Sequence, residues 1–310
     1  MAQHEDPHER LERLLEDQTY AYRKRIENAI KRFQSEEQID EIADLLAEGR
    51  ESEALLVATR FANTVAAGAS VVYVTSATQT AKYLERTTGL VVDYNQEHVR
   101  ATKYLQENNF RLVQNLSGEQ TAVLRAALVE ANRAGQNPRV TARQMMDNLG
   151  LTPRQQAAVA NYRRLLEAGS ARALRLALHD KRIKNIKDLS PEQIDKMVAS
   201  YRARYIRYRA EVVARTEALR AVHAGVIEMY DQAIETGVLP PQELQRKWFT
   251  ARDSRVRGHH VSMHGQLRPV NKPFVSGQGN LLMYPGDPSA PASDVVQCRC
   301  VVTTRFRTRN

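Results

Sequence analysis

Cysteine is scarce in this chain: two residues in 310, Cys298 and Cys300. Two thiols exclude a disulfide framework as the source of stability. A bond between them is also disfavoured, since an i, i+2 bridge closes a strained ring. Tryptophan occurs once, as Trp248, and aromatic residues make up 6% of the chain. An interior so poor in rings has to be built on Ala, Leu and Val, which suits helices. There is no uninterrupted run of about 18 apolar residues, so no membrane span is expected. The first ten residues are polar and charged and hold no apolar signal segment, so retention in a cytoplasm is the expectation. No internal repeat or low-complexity tract is present, and a repeat architecture is not indicated.

Charge, by contrast, is plentiful and unbalanced. Charged residues are 26% of the sequence, hydrophobic residues 42%, and the net charge is +9. The apolar share and the length suffice for one large domain or two ordinary ones. The basic excess fits either a solvated surface or one that meets nucleic acid or an acidic partner.

Helical periodicity dominates the first two-thirds. Residues 8 to 48 read as helix, broken by a Ser35 cap before Ile39, Ile42 and Leu45. Residues 52 to 86 are the most apolar helical region. Val71 to Thr75 has strand propensity, but its setting predicts buried helix ending at Gly89. Residues 94 to 133 read as two helices parted by Leu116-Ser117-Gly118-Glu119. A Thr141 cap, a Gly150 stop, then Thr152 and Pro153 make a helix-turn-helix pattern. As a DNA reader it would present Arg154 and Gln155 to a major groove; as an αα-hairpin it records only caps and a turn. Residues 162 to 178 read as a further helix. Ser190-Pro191 opens a long one, from about Ile194 to Met229, rich in arginine. Arg202, Arg207 and Arg209 would follow a phosphate backbone or simply face solvent.

After Gly237 the composition changes. Prolines and glycines crowd in, and Trp248-Phe249, Leu281-Leu282 and Val301-Val302 read as short strands. The expected fold class is therefore mainly α with a small C-terminal α+β module. In chain order this gives a helical arm over residues 1–50, a helical domain over 51–190, and the long helix plus module over 191–310. Both cysteines, the tryptophan and half of the histidines lie in the last of these. On a strand, Cys298 and Cys300 would project from the same face.

An ordered series runs through this last region: Ala214-Arg215-Thr216-Glu217, Trp248, Asp253-x-Arg255-x-Arg257, His260, His264-Gly265, Phe274, Pro285-Gly286-Asp287-Pro288 and Cys298-Arg299-Cys300. At these separations it resembles the Mu F-like minor head proteins of tailed phages, the phage head morphogenesis family. One departure is Gln297, where family members often carry Asn. The resemblance implies a structural protein of the virion head near the portal vertex, assembled in the host cytoplasm. It also implies the portal and the inner or major capsid protein as partners, with roles in DNA packaging or ejection, genomic DNA close by and no membrane. Self-association is compatible with it.

The same residues carry three chemical readings. Arg215, Glu217, Asp253, Arg255 and Arg257 would form a charged clamp between the long helix and the module, Glu217 accepting from Arg255 or Arg257. His260 and His264, one helical turn apart, would join Cys298 and Cys300 in a structural zinc site; the alternative is hydrogen-bonded histidines and core cysteines. A catalytic reading would pair Cys298 with His260 or His264. It lacks a recognisable local context, so no enzyme activity is expected. The competing function is a DNA-binding module built on the helix-turn-helix-like segment and the arginine face.

Overall fold

The computed structural model of the chain describes residues 6–306. It is mainly helical, with a few short strands confined to the C-terminal module. The helices are α1 (Pro7–Phe33), α2 (Glu36–Ala47), α3 (Glu51–Ala54), α4 (Val57–Thr88), α5 (Val99–Arg133), α6 (Pro138–Asn148), α7 (Pro153–Glu167) and α8 (Pro191–Glu235), then two single turns, α9 (Gly258–Val261) and α10 (Ala292–Val295). The strands are β1 (Leu244–Phe249), β2 (Leu267–Pro269), β3 (Phe274–Val275), β4 (Leu281–Leu282) and β5 (Val301–Phe306).

Several boundaries follow from named caps. Ser35 caps α2 by accepting from the Gln38 backbone, and Gly89, at φ +73°, follows the last residue of α4. Other expectations are corrected. Asn137, not Thr141, caps α6. The two helices expected between residues 94 and 133 are one, α5, because Leu116 and Gln120 are buried and hold the segment helical through Gly118. A single exposed glycine costs a helix only about 1 kcal/mol, which tertiary packing overrides. The helix expected to reach residue 178 stops at Glu167, where Gly169 turns left-handed, and a 3-10 turn over Ala171–Arg175 follows.

The chain is divided into two compact units and passes between them inside α1, α4, α5 and α8. One unit holds Arg25–Ala66 and Phe110–Glu211. Its core joins Leu151, Val159, Tyr162, Leu166, Ile194 and Tyr201. Here α6 and α7 form the helix-turn-helix-like segment. The buried Gln120 side chain donates to Leu151 O (2.7 Å) and accepts from Gly150 N (2.7 Å), so α5 fixes the turn.

Among the described residues, the other unit holds 6–24, Ala67–Asn109 and 212–306. In it the C-terminal half of α8 backs an antiparallel sheet of order β2-β1-β5, with Trp248 opposite Val302. The β3–β4 hairpin pairs Phe274 with Leu282. Leu219, Trp248, Met263, Phe274, Leu282, Cys298, Cys300 and Val302 form its core. Alternation along β1, buried and half-buried in turn, puts Arg246 inside with Leu244 and Trp248. Arg246 is tolerated there because it donates to Met283 O (2.7 Å) and Lys272 O (2.5 Å).

The stretch Glu51–Thr88 is long and apolar enough to cross a bilayer by length and composition. Half of its apolar window is buried inside the protein, the pattern of a core helix.

Candidate functional site

The residues that carry chemistry meet at the foot of the β1–β5 pair. The single turn α9 presents His259 and His260, and α10 presents Asp294. Between α10 and β5 the chain turns sharply at Gln297, whose φ is +54°. That turn, held by Gln297 N on Thr216 Oγ1 (3.2 Å) and by Arg257 on the Val296 carbonyl, swings both thiols inward. The expectation that Cys298 and Cys300 share one face of a strand is corrected. They precede the strand instead, and converge because the Cys300 N–H folds back onto Cys298 Sγ at 3.5 Å.

Both sulfurs face the same imidazole nitrogen. Cys298 Sγ is 3.7 Å and Cys300 Sγ 3.6 Å from His260 Nδ1. The opposite nitrogen, His260 Nε2, lies 3.0 Å from Asp294 Oδ1. His259 Nε2 approaches that same oxygen at 2.7 Å, and Asn280 donates to the other at 2.7 Å. Asp294 has no solvent exposure, so its carboxyl depends on the hydrogen bonds from His260 and Asn280, with His259 Nε2 close by but outside hydrogen-bond geometry. Trp248 lies edge-on to His260, and its indole N–H, buried without a partner of ordinary geometry, favours the thiolate form of Cys300.

Acidity is split between the two thiols. The hydrogen bond from Cys300 holds Cys298 well below the usual thiol range against the effect of burial, and His260 adds to it. Cys300 is pushed up, by donating that bond and by burial. Burial opposes charge on His260, yet Cys298 and Asp294 together hold its pKa above the ordinary value. The adjoining cavity, lined by Arg255, Arg257, Arg299 and the cluster itself, measures about 10 Å³.

His264 is not part of this cluster, which corrects the expected four-ligand set. It lies beyond the end of α9, so it does not share a helical face with His260. Its Nδ1 is 3.1 Å from Thr250 N and its Nε2 3.0 Å from the Arg252 guanidinium.

The expected clamp of Arg215, Glu217, Asp253, Arg255 and Arg257 is not formed by those residues, and other bonds join the two elements. Glu217 accepts from Arg220, one turn on, at 2.7 and 2.8 Å, and not from Arg255 or Arg257. Arg220 also donates to Gly286 O (3.1 Å), joining α8 to the Pro285-Gly286-Asp287-Pro288 turn. Thr216 and His223 extend the same helical face, His223 Nε2 accepting from Val302 N at 3.1 Å. Arg215 is half-buried on α8. Asp253 pairs instead with Arg299 at 2.6 Å and with Arg255 at 3.5 Å, and the Arg299 hydrogen bond holds its carboxyl well below the usual range.

A family model described as phage Mu protein F like protein matches residues 122–303, more than half of the chain. The chain belongs to the phage Mu protein F-like family. Membership makes it a bacteriophage head-related protein. No curated protein and no solved structure matches it. The Mu F-like match reaches further than the last-third motif series, taking in the end of α5 and all of α6, α7 and α8.

Within the Mu F-like region, the five candidate DNA contacts fall into two groups. Arg154 and Arg207 are exposed. Arg202 pairs with Asp147 at 2.9 Å, and Arg209, largely enclosed, pairs with Glu119. Gln155 closes a capping box with Thr152, so its side chain is occupied at the start of α7. Asp294, His259 and Arg220 were missed by sequence reasoning. Asp294, four residues before Cys298, was the one with a legible signal.

Proposed function

We propose that this chain is a minor structural protein of a tailed-phage head, seated near the portal vertex and acting during head assembly. The observation that carries this reading is the Mu F-like match, which includes α8 and nearly all of the module fastened to it. The portal and the inner face of the capsid are the partners of this reading, and packaged DNA lies within reach of the basic surface. The protein positions other components and does not turn over a substrate. For the Cys-His-Asp cluster the support is scale: it adjoins a cavity of about 10 Å³, whereas ligand pockets run to roughly 300–1,000 Å³. The Glu217–Arg220–Gly286 bonds and the His223–Val302 bond tie the module to α8, as a rigid spacer requires.

The test is made on particles. Heads purified from cultures with and without the gene are compared by mass spectrometry and electron microscopy, with portal protein used as bait on lysates. The protein is expected in heads and in portal complexes, with head formation impaired by deletion. Mature particles that lack it, together with head formation indifferent to its loss, would overturn the reading.

A further inference from the structure

We infer that His260 Nδ1, Cys298 Sγ and Cys300 Sγ bind one zinc-class divalent ion, with Asp294 holding the imidazole in the coordinating orientation. Three observations carry this. The first is distance. With Zn–S of about 2.3 Å and Zn–N of about 2.05 Å in tetrahedral geometry, ligand nitrogen and sulfur stand about 3.6 Å apart. The two separations in the structure are 3.7 and 3.6 Å. All three ligand atoms lie within 4.8 Å of one another, and all three residues are buried.

The second is the tautomer. Asp294 accepts from His260 Nε2, which leaves the Nδ1 lone pair directed at the sulfurs. A carboxylate behind a ligating histidine is the usual outer support of a zinc site. Asp294 is itself fixed by the Asn280 hydrogen bond and has no solvent exposure, so the imidazole has little freedom to turn.

The third is equivalence. A nucleophilic cysteine needs one thiolate, one base and room for a substrate. Here two sulfurs stand at nearly equal distance from one nitrogen, and both are 2% exposed. The adjoining cavity of about 10 Å³ holds about one water-sized particle, enough for a fourth ligand and nothing larger. Two thiolates neutralise a divalent ion, so Arg255, Arg257 and Arg299 around the cavity face a site without excess positive charge. Binding releases the Cys300 thiol proton, and any proton on His260 Nδ1, to solvent, with no redox change. His264 is left outside, held by Thr250 and Arg252, and the second cluster, His259 with His260 and Asp294, serves as support.

The experiment uses the full-length chain, purified under reducing conditions and stripped with chelator. Zinc stoichiometry is measured by mass spectrometry, and cobalt(II) is titrated as a spectroscopic stand-in. One equivalent per chain is expected, with thiolate-to-cobalt charge-transfer absorption and intense tetrahedral visible bands. Cys298→Ser and Cys300→Ser should each weaken the charge-transfer band. Asp294→Asn should keep the spectrum while lowering affinity about 10- to 100-fold. Bound zinc should slow alkylation of both cysteines in the wild-type chain, a readout that needs no variant to fold. Binding well below one equivalent with no charge-transfer band would overturn the inference. So would fast alkylation of Cys298 alone that zinc leaves unchanged, the signature of a reactive nucleophile.

Discussion

His223 shows how one side chain links the fold to pH. It is fully enclosed, its Nδ1 donating to Leu219 O (2.9 Å) and its Nε2 accepting from Val302 N, so no site is left for a second proton. Burial pushes its pKa down to about 4. A folded-state value below the unfolded one means stability present above about pH 6.5 and lost as pH falls through 4, on the order of 3 kcal/mol. Asp231 works the other way. Burial, with Glu228 nearby, raises it to about 6, so its contribution grows as pH drops from 6 toward the usual carboxylate range. The wild-type chain should therefore show a shallow slope of urea midpoint between pH 7 and 4.5. His223→Gln should flatten or reverse that slope, and Asp231→Asn should steepen it. Equal slopes in all three would refute the assignment. At this scale the sequence was legible where a residue type is rare and spacing is short. Cys298, Cys300 and His260 stood out that way, whereas Asp294 and His259 matter only through a turn at Gln297 that no periodicity encodes. His264 misled because a four-residue spacing implies a shared face only if the helix continues, and α9 is a single turn.

The elements are held by close approach as much as by side-chain bonds. On α8, a Cβ placed on Gly225 would come 2.3 Å from the Tyr73 carbonyl of α4, a clash that backbone cannot relieve cheaply. Gly225→Ala is expected to destabilise the chain by about 1–3 kcal/mol, the usual cost of overpacking. Gly118→Ala is the control, since a Cβ there meets nothing within 4 Å and α5 is regular. It should stabilise by about 0.4–1 kcal/mol, through the unfolded chain. Thermal melts of the two variants should move in opposite directions; a common direction would show that helix propensity, not approach, governs α8. This is also where the sequence was half legible. The apolar run over residues 52 to 86 was legible as buried helix, and the caps at Ser35, Thr152 and Ser190 placed helix starts correctly. Which element came close to Tyr73, and that α5 ran unbroken through Gly118, depended on burial of partners distant in the chain.

For the whole molecule, the open matter is what the +9 charge is for. A basic surface can be a solubility device or a track for a phosphate backbone, and the arginine pairings separate the two. Arg202 and Arg209 already have carboxylate partners in Asp147 and Glu119, so each would have to give up an ion pair to reach a phosphate. Gln155 and Gln156 are likewise occupied, by Thr152 and by Val123 O. That leaves Arg154 and Arg207 as the exposed members of the candidate set. If packaged DNA runs past these arginines, binding of duplex fragments should weaken with salt, and Arg154→Ala or Arg207→Ala should each lower the slope of log affinity against log salt by about 1. Arg202→Ala should leave that slope alone and act through stability, because it strands Asp147. A slope reduced equally by Arg202→Ala would mean the ion pairs open on binding. Absence of any salt-dependent binding would assign the basic excess to solvation or to an acidic protein partner, and a head protein that never touches the genome would then be the consistent reading.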